Sequence, residues 1–305
     1  MTLSQLAQRH PRLFDGLIRI DRLPPLTWLG LQAAALLPAW IWMARRATDG
    51  ADDPLGLLAL AALALLAWHS RRALRAAPGL GWLALAGIAT LAASVARTGL
   101  GPLPAWPPLA SALVAVLAMA AGLLALLPRR VAAAPVLGLA VLALPLLSSL
   151  QFYAGYPLRL LSAEASRWLL APLFAQVQRE GASLWVNGQQ VLVDAPCSGV
   201  QMAWFGYFVA CVVALWSGRG THAFLARLPA VGALVLGGNI VRNALLIGLE
   251  GAGLAPSPLL HEAIGLVLLA AVCVAVAACM APRRRHDPDP AAAPTVVAHP
   301  SSPFA

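Results

Sequence analysis

The stretch from Val193 to Ala210, VDAPCSGVQMAWFGYFVA, sets a cysteine among an aspartate, a proline and a glycine and then turns apolar. A thiol attacks a carbonyl only as its thiolate, and a helix N-terminus or a nearby cation favours that form. On this logic Asp194 is expected to cap a helix, Pro196 to fit its first turn, and Cys197 to meet the exposed N–H groups. Two more residues have matching chemistry. Arg242 interrupts an apolar run, where a guanidinium costs about 2.5–3.5 kcal/mol or more to insert. It is therefore expected to face the bundle interior and meet an anion: a thiolate, a substrate carboxylate or a developing oxyanion. His261 opens a further apolar run and can relay protons between a thiol and a leaving amine. Asn239, one turn before Arg242, is suited to holding the guanidinium or to tying helices together.

The elements that must position these residues follow from composition. The chain has 305 residues, 60% of them hydrophobic and only 11% charged. A soluble domain is near half apolar and a quarter charged, so most of this chain is expected inside a bilayer. Apolar runs long enough to approach a crossing lie at about Leu26–Ala44, Pro54–Trp68, Leu80–Ala96, Pro107–Leu127, Ala134–Leu150, Val200–Trp216, Phe224–Leu249 and Leu260–Ala281. The expected fold is all-α, a polytopic bundle of about eight transmembrane helices occupying residues 1–281. The tail, 282–305, is rich in Pro and Ala with little to bury and reads as disordered. The segment before Leu26 carries Arg9, Arg12, Arg19 and Arg22 and has no early apolar core, so the first run is expected to act as an uncleaved anchor.

The net charge of +9 comes from arginine, with no lysine in the chain. Nucleic acid is not the expected partner, because the arginines sit at the ends of apolar runs. Eight crossings place fourteen arginines on the side of the termini and six on the other, so both termini are expected in the cytoplasm. Cys197, Arg242 and His261 then share the outer half of the membrane. Of six histidines only His261 falls on that side, and Cys211, Cys273 and Cys279 do not, which argues against a disulfide to Cys197. Trp204, Phe205, Tyr207 and Phe208 read as span packing.

The long outer loop, 152–196, also has a pattern. From Tyr156 to Val177, Leu158, Leu161, Ala165, Trp168, Leu169, Pro172 and Leu173 recur near one helical face, with Arg159, Glu164 and Arg167 elsewhere. This predicts an amphipathic helix on the outer surface. Ser183–Val186 and Gln189–Val193, joined by Asn187-Gly188, predict a small β-hairpin. Helix and hairpin together would roof Cys197.

At these residues the chain resembles the exosortase/archaeosortase family. The pieces are Cys197-Ser198-Gly199, Asn239-Ile240-Val241-Arg242 and His261-Glu262-Ala263-Ile264-Gly265, in the family's order and each at the outer end of a late run. The resemblance covers about Arg159 to Leu269. Here Ala195-Pro196 stands between Asp194 and the cysteine, where many members have an acidic residue closer. The resemblance implies a multi-pass enzyme of the bacterial inner membrane that cleaves C-terminal sorting signals of exported proteins and passes them to an acceptor such as a glycan or lipid. It implies a catalytic trio of Cys197, Arg242 and His261, with Asp194, Ser198 and Asn239 supporting, and no cofactor or metal. A second class stays open at this point: a transporter or channel with Arg242 and His261 in an anion or proton path. That reading expects charges along a path through both membrane halves, whereas Arg242 is the one arginine placed deep inside a run, Arg227 standing at the start of the same run.

Overall fold

A computed structural model of the chain describes residues 24–50, 54–75, 77–98, 106–192, 198–254 and 256–281. The helices are α1 (Pro25–Ala35), α2 (Leu37–Thr48), α3 (Gly56–His69), α4 (Leu80–Thr98), α5 (Pro108–Leu126), α6 (Ala133–Leu142), α7 (Leu147–Leu170), α8 (Val200–Trp216), α9 (Thr221–Leu225), α10 (Leu228–Gly251) and α11 (Pro258–Met280). Three short strands, β1 (Val177–Glu180), β2 (Ser183–Val186) and β3 (Gln189–Leu192), lie between α7 and α8.

Each of the eight apolar runs is helical, but they are not eight equal spans. Among the described residues three stretches are long and apolar enough to cross a membrane: α5, α9 with α10, and α11. Two bent pairs raise that number to five. The pair α1–α2 bends by 69° at Leu36, just before Pro38, and the pair α6–α7 bends by 94° at the break holding Pro145. Proline supplies no N–H to the helix ladder and clashes with the preceding turn, which accounts for both sites. The helices α3 and α8 and the apolar part of α4, Leu80–Ala96, are shorter.

The expected span Ala134–Leu150 is therefore corrected. It stops at Leu142, and α7 leaves at nearly a right angle. The amphipathic helix expected over Tyr156–Val177 is the later part of α7, which ends at Leu170, and Val177 belongs to β1. The hairpin of β2 and β3 is present, with Ser183 opposite Leu192 and Val186 opposite Gln189. Asn187 and Gly188 both have positive φ, 48° and 86°, as the two-residue turn requires. Sequence reading missed β1, which pairs antiparallel with β2 and makes a three-stranded meander.

Two apolar clusters meet along α6. One gathers Val116, Leu123, Leu124 and Leu127 of the α5 region with Leu29, Met43 and Val136. The other gathers Trp204, Val231, Val235, Val272 and Val276 of α8, α10 and α11 with Ala59 and Leu139. Between membrane helices no water is expelled, so contact rests on van der Waals fit and small residues. Gly206 of α8 receives Val235, and Gly238 of α10 receives Val272 of α11. A third cluster lies over the end of α10, where Leu184, Val186 and Val191 of the sheet meet Ala163, Leu170, Ala244 and Ile247. Outward-facing Ile88, Leu266 and Val267 stay exposed, as a lipid-facing surface allows.

Candidate active site

Asp194 and Cys197 lie outside the described residues, and the site is built from what surrounds their sequence neighbours. The first described residue after them, Ser198, is buried and held at two points. Its hydroxyl donates to Gln151 Oε1 of α7 at 2.8 Å and accepts from the Val200 N–H at 3.4 Å. Gly199 then turns the chain into α8 with φ 86°, a left-handed conformation that costs a side-chain-bearing residue energy. A Cβ on Gly199 would also fall 2.8 Å from Cγ and Nδ2 of Asn239. Glycine is thus required twice, for the turn and for the approach of α10.

The helix α8 begins at Val200, with Gly199 at its N-cap position and no side-chain cap hydrogen bond. The capping expected of Asp194 and the first-turn place expected of Cys197 fall outside the described residues.

Asn239 is fully buried, and its Nδ2 donates to Ser162 Oγ of α7 at 3.1 Å. That bond gives it the helix-tying part of its expected role. One turn on, Arg242 is half-buried. A Cβ built on Gly265 of α11 would lie 3.2 Å from its Nε, 3.4 Å from Nη2 and 3.6 Å from Cζ. The guanidinium therefore rests on the bare backbone of α11. His261 stands four residues before Gly265 on that helix, so its side chain rises from the same face one turn away. His261 lies in the first turn of α11, which Ser257 caps through its hydroxyl on the Leu260 N–H at 3.3 Å.

The three motif fragments are therefore brought near one another: Ser198-Gly199 against Asn239, Arg242 one turn further along α10, and Gly265 of α11 against Arg242. The depth is informative. Asn239 lies twelve residues before the end of α10, about 18 Å along the helix axis. The start of α8 thus sits well inside the bundle, and α10 continues past it to meet the sheet, where Gly251 packs on Val186. Charges tie the same cover together. Glu164 of α7 accepts from Arg167 Nη2 and from Arg179 Nε of β1, each at 2.7 Å.

Sequence reasoning missed Gln151 and Ser162, and it gave Gly265 no role. Gln151 directly follows the apolar run Ala134–Leu150, and Ser162 lies within the amphipathic segment. Trp204 and Phe208 stack at 5.2 Å and Trp204 Nε1 donates to Leu142 O, as packing residues do. Cys211, Cys273 and Cys279 are free thiols. Among the described residues no group of three or more His, Cys, Asp or Glu could hold a metal ion.

A protein-family model described as transmembrane exosortase (Exosortase_EpsH) matches residues 26–278, most of the chain and all three motif fragments. The chain belongs to the transmembrane exosortase family. The match extends the sequence resemblance back over the early helices, to which the short motifs could not speak. Membership assigns this exosortase a membrane protease or transpeptidase role in general terms. No curated protein and no solved structure matches it.

Proposed function

We propose that this exosortase is a cysteine transpeptidase that cuts the C-terminal sorting signal from exported proteins on the outer face of the bacterial inner membrane. In this reading both termini are cytoplasmic, and the released protein passes to a glycan or lipid acceptor. Cys197 is the nucleophile. Its thiolate adds to the scissile carbonyl, and the tetrahedral oxyanion collapses as the C–N bond breaks. His261 gives the leaving amine a proton, which leaves a thioester on Cys197. An acceptor hydroxyl or amine then adds to the thioester and loses its proton to His261, and the thiolate departs. Arg242 supplies two planar donors for the thiolate or oxyanion. Ser198 and Asn239 anchor the segment on either side of Gly199, while Asp194 is assigned to the substrate side of the cysteine.

The observation that carries this reading is the seat of Arg242 on Gly265, one turn from His261, with Asn239 of the same helix against Gly199. A half-buried cation beside these fragments supports the reading, because an arginine inside a span needs an anionic or polar partner. The deciding experiment is labelling of intact cells with a membrane-impermeant thiol reagent. Capture of Cys197 with parallel loss of substrate processing is expected; processing that persists in fully labelled protein would overturn the covalent mechanism.

A further inference from the structure

At the end of the bundle where α3 leads into α4 and α5 into α6, the loop 70–79 is fastened to the end of α5. The Arg75 N–H bonds Leu126 O and the Gly79 N–H bonds Ala125 O, both at 2.8 Å. This fixes the half-buried Arg75 between two hollows. One, about 540 Å³, is lined by Arg75 and Arg129 with Trp82 and Pro128. The other, about 580 Å³, is an apolar groove between α1, α4 and α5, lined by Trp28, Leu83, Gly87, Leu91 and Leu126, with Arg75 at its mouth. Its polar residues are turned inward. Gln32 Nε2 donates to Thr90 Oγ1 and Ala118 O, Thr90 Oγ1 to Ala86 O, and Ser94 Oγ to Thr90 O. Among the described residues no acidic side chain pairs with Arg75 or Arg129.

We infer that this composite site holds an anionic phospholipid, with its phosphate at Arg75 and Arg129 and one acyl chain in the groove. Three features favour that occupant. Arg75 lines both hollows and Arg129 the neighbouring one, so two cations stand beside an apolar groove, the charge pattern of a lipid headgroup above its chain. From Leu83 to Ser94 the groove follows α4 for eleven residues, about 16 Å, close to half of the roughly 30 Å hydrocarbon core. Trp82 lines the same hollow as the two cations, and tryptophan is a residue type that favours the headgroup level. The segment that precedes α1 carries Arg9, Arg12, Arg19 and Arg22, a poor match for Arg75 and Arg129. The inference stands apart from the catalytic proposal, since none of these residues is in the candidate active site.

The test is native mass spectrometry of the full chain in mixed micelles with palmitoyl-oleoyl phosphatidylglycerol or the phosphatidylcholine of the same chains. Phosphatidylglycerol retention should exceed phosphatidylcholine by roughly tenfold. Arg75→Gln with Arg129→Gln should remove the preference, and Arg129→Glu, a change at an exposed position, should reduce it without affecting the fold. Gly87→Leu projects a side chain into the groove from a position where a Cβ meets nothing within 4 Å, and should lower retention of both lipids. Equal retention of the two lipids by the natural protein overturns the inference. So does an unchanged preference in monodisperse Arg129→Glu, or unchanged retention in Gly87→Leu, which would leave the groove to the protein itself.

Discussion

At the residue scale the candidate site turns on one sulfur and one cation. Replacing Cys197 with alanine is expected to abolish substrate processing while insertion and yield stay normal, because only a sulfur is lost. Cys197→Ser should be nearly as inactive, since a hydroxyl is far harder to ionise. Cys211→Ala, Cys273→Ala and Cys279→Ala should retain activity; immunoblots of processed against unprocessed substrate read all five. Arg242→Lys keeps the charge but loses the planar fork, so most activity should go, and Arg242→Ala should lose all of it. The seat of the arginine provides a second approach. Gly265→Leu would push a side chain where Nε and Nη2 now rest, and should mimic Arg242→Ala without touching the arginine. Alkylation of Cys197 across pH separates the roles of the cation. If Arg242 stabilises the thiolate, the pH of half-alkylation rises in Arg242→Lys, Arg242→Ala and Gly265→Leu; an unchanged profile with lost activity assigns the arginine to substrate or oxyanion. Full activity in Gly265→Leu and Arg242→Ala would remove the arginine from the mechanism.

At the element scale the close approaches are the vulnerable points. Gly199→Ala forces a side chain into a left-handed turn and against Asn239, a combined cost of about 1–3 kcal/mol. Because the strain falls two residues after Cys197, processing should drop more than the thermal midpoint does. Gly251→Ala meets Val186 instead and should loosen the sheet from α10, at a similar cost. The expected signature is faster protease cleavage within 177–192 with thiol labelling of Cys197 largely intact. Equal protease resistance in the two proteins would detach the sheet from any covering role. The hairpin was legible because Asn-Gly with alternating flanks is a local signal. β1 was not, because Val177-Gln178-Arg179-Glu180 has no alternation of its own and depends on pairing with β2.

For the whole molecule, topology is the test. Reporter fusions after Arg72 and after Arg285 should read cytoplasmic and one near Gly188 external, as fourteen arginines against six require. A cytoplasmic signal at Gly188 would place the candidate site on the wrong side of the membrane for exported substrates. The same experiment bears on the span number. Three long spans and two bent pairs, with α3, α4 and α8 shorter, must still bring the Cys197 and His261 ends to one face.

The sequence by itself determined the apolar elements, the class of fold and the residues able to do chemistry. These are local properties: the run of apolar side chains, the insertion cost of an arginine, the types of side chain that can ionise. It could not decide where Pro145 would send the chain, since a proline breaks a helix but neighbouring packing sets the angle that follows. Nor could it decide that α8 starts behind Gly199, deep beside Asn239, or that Gln151, Ser162 and Gly265 would complete the surroundings of the motif fragments. Each of those facts joins residues 47 or more positions apart, except the meeting of Arg242 with Gly265 and of Gly199 with Asn239, which still cross from helix to helix. Such contacts leave no periodic mark on the chain, because they depend on where helices cross, and only the packed bundle decides that.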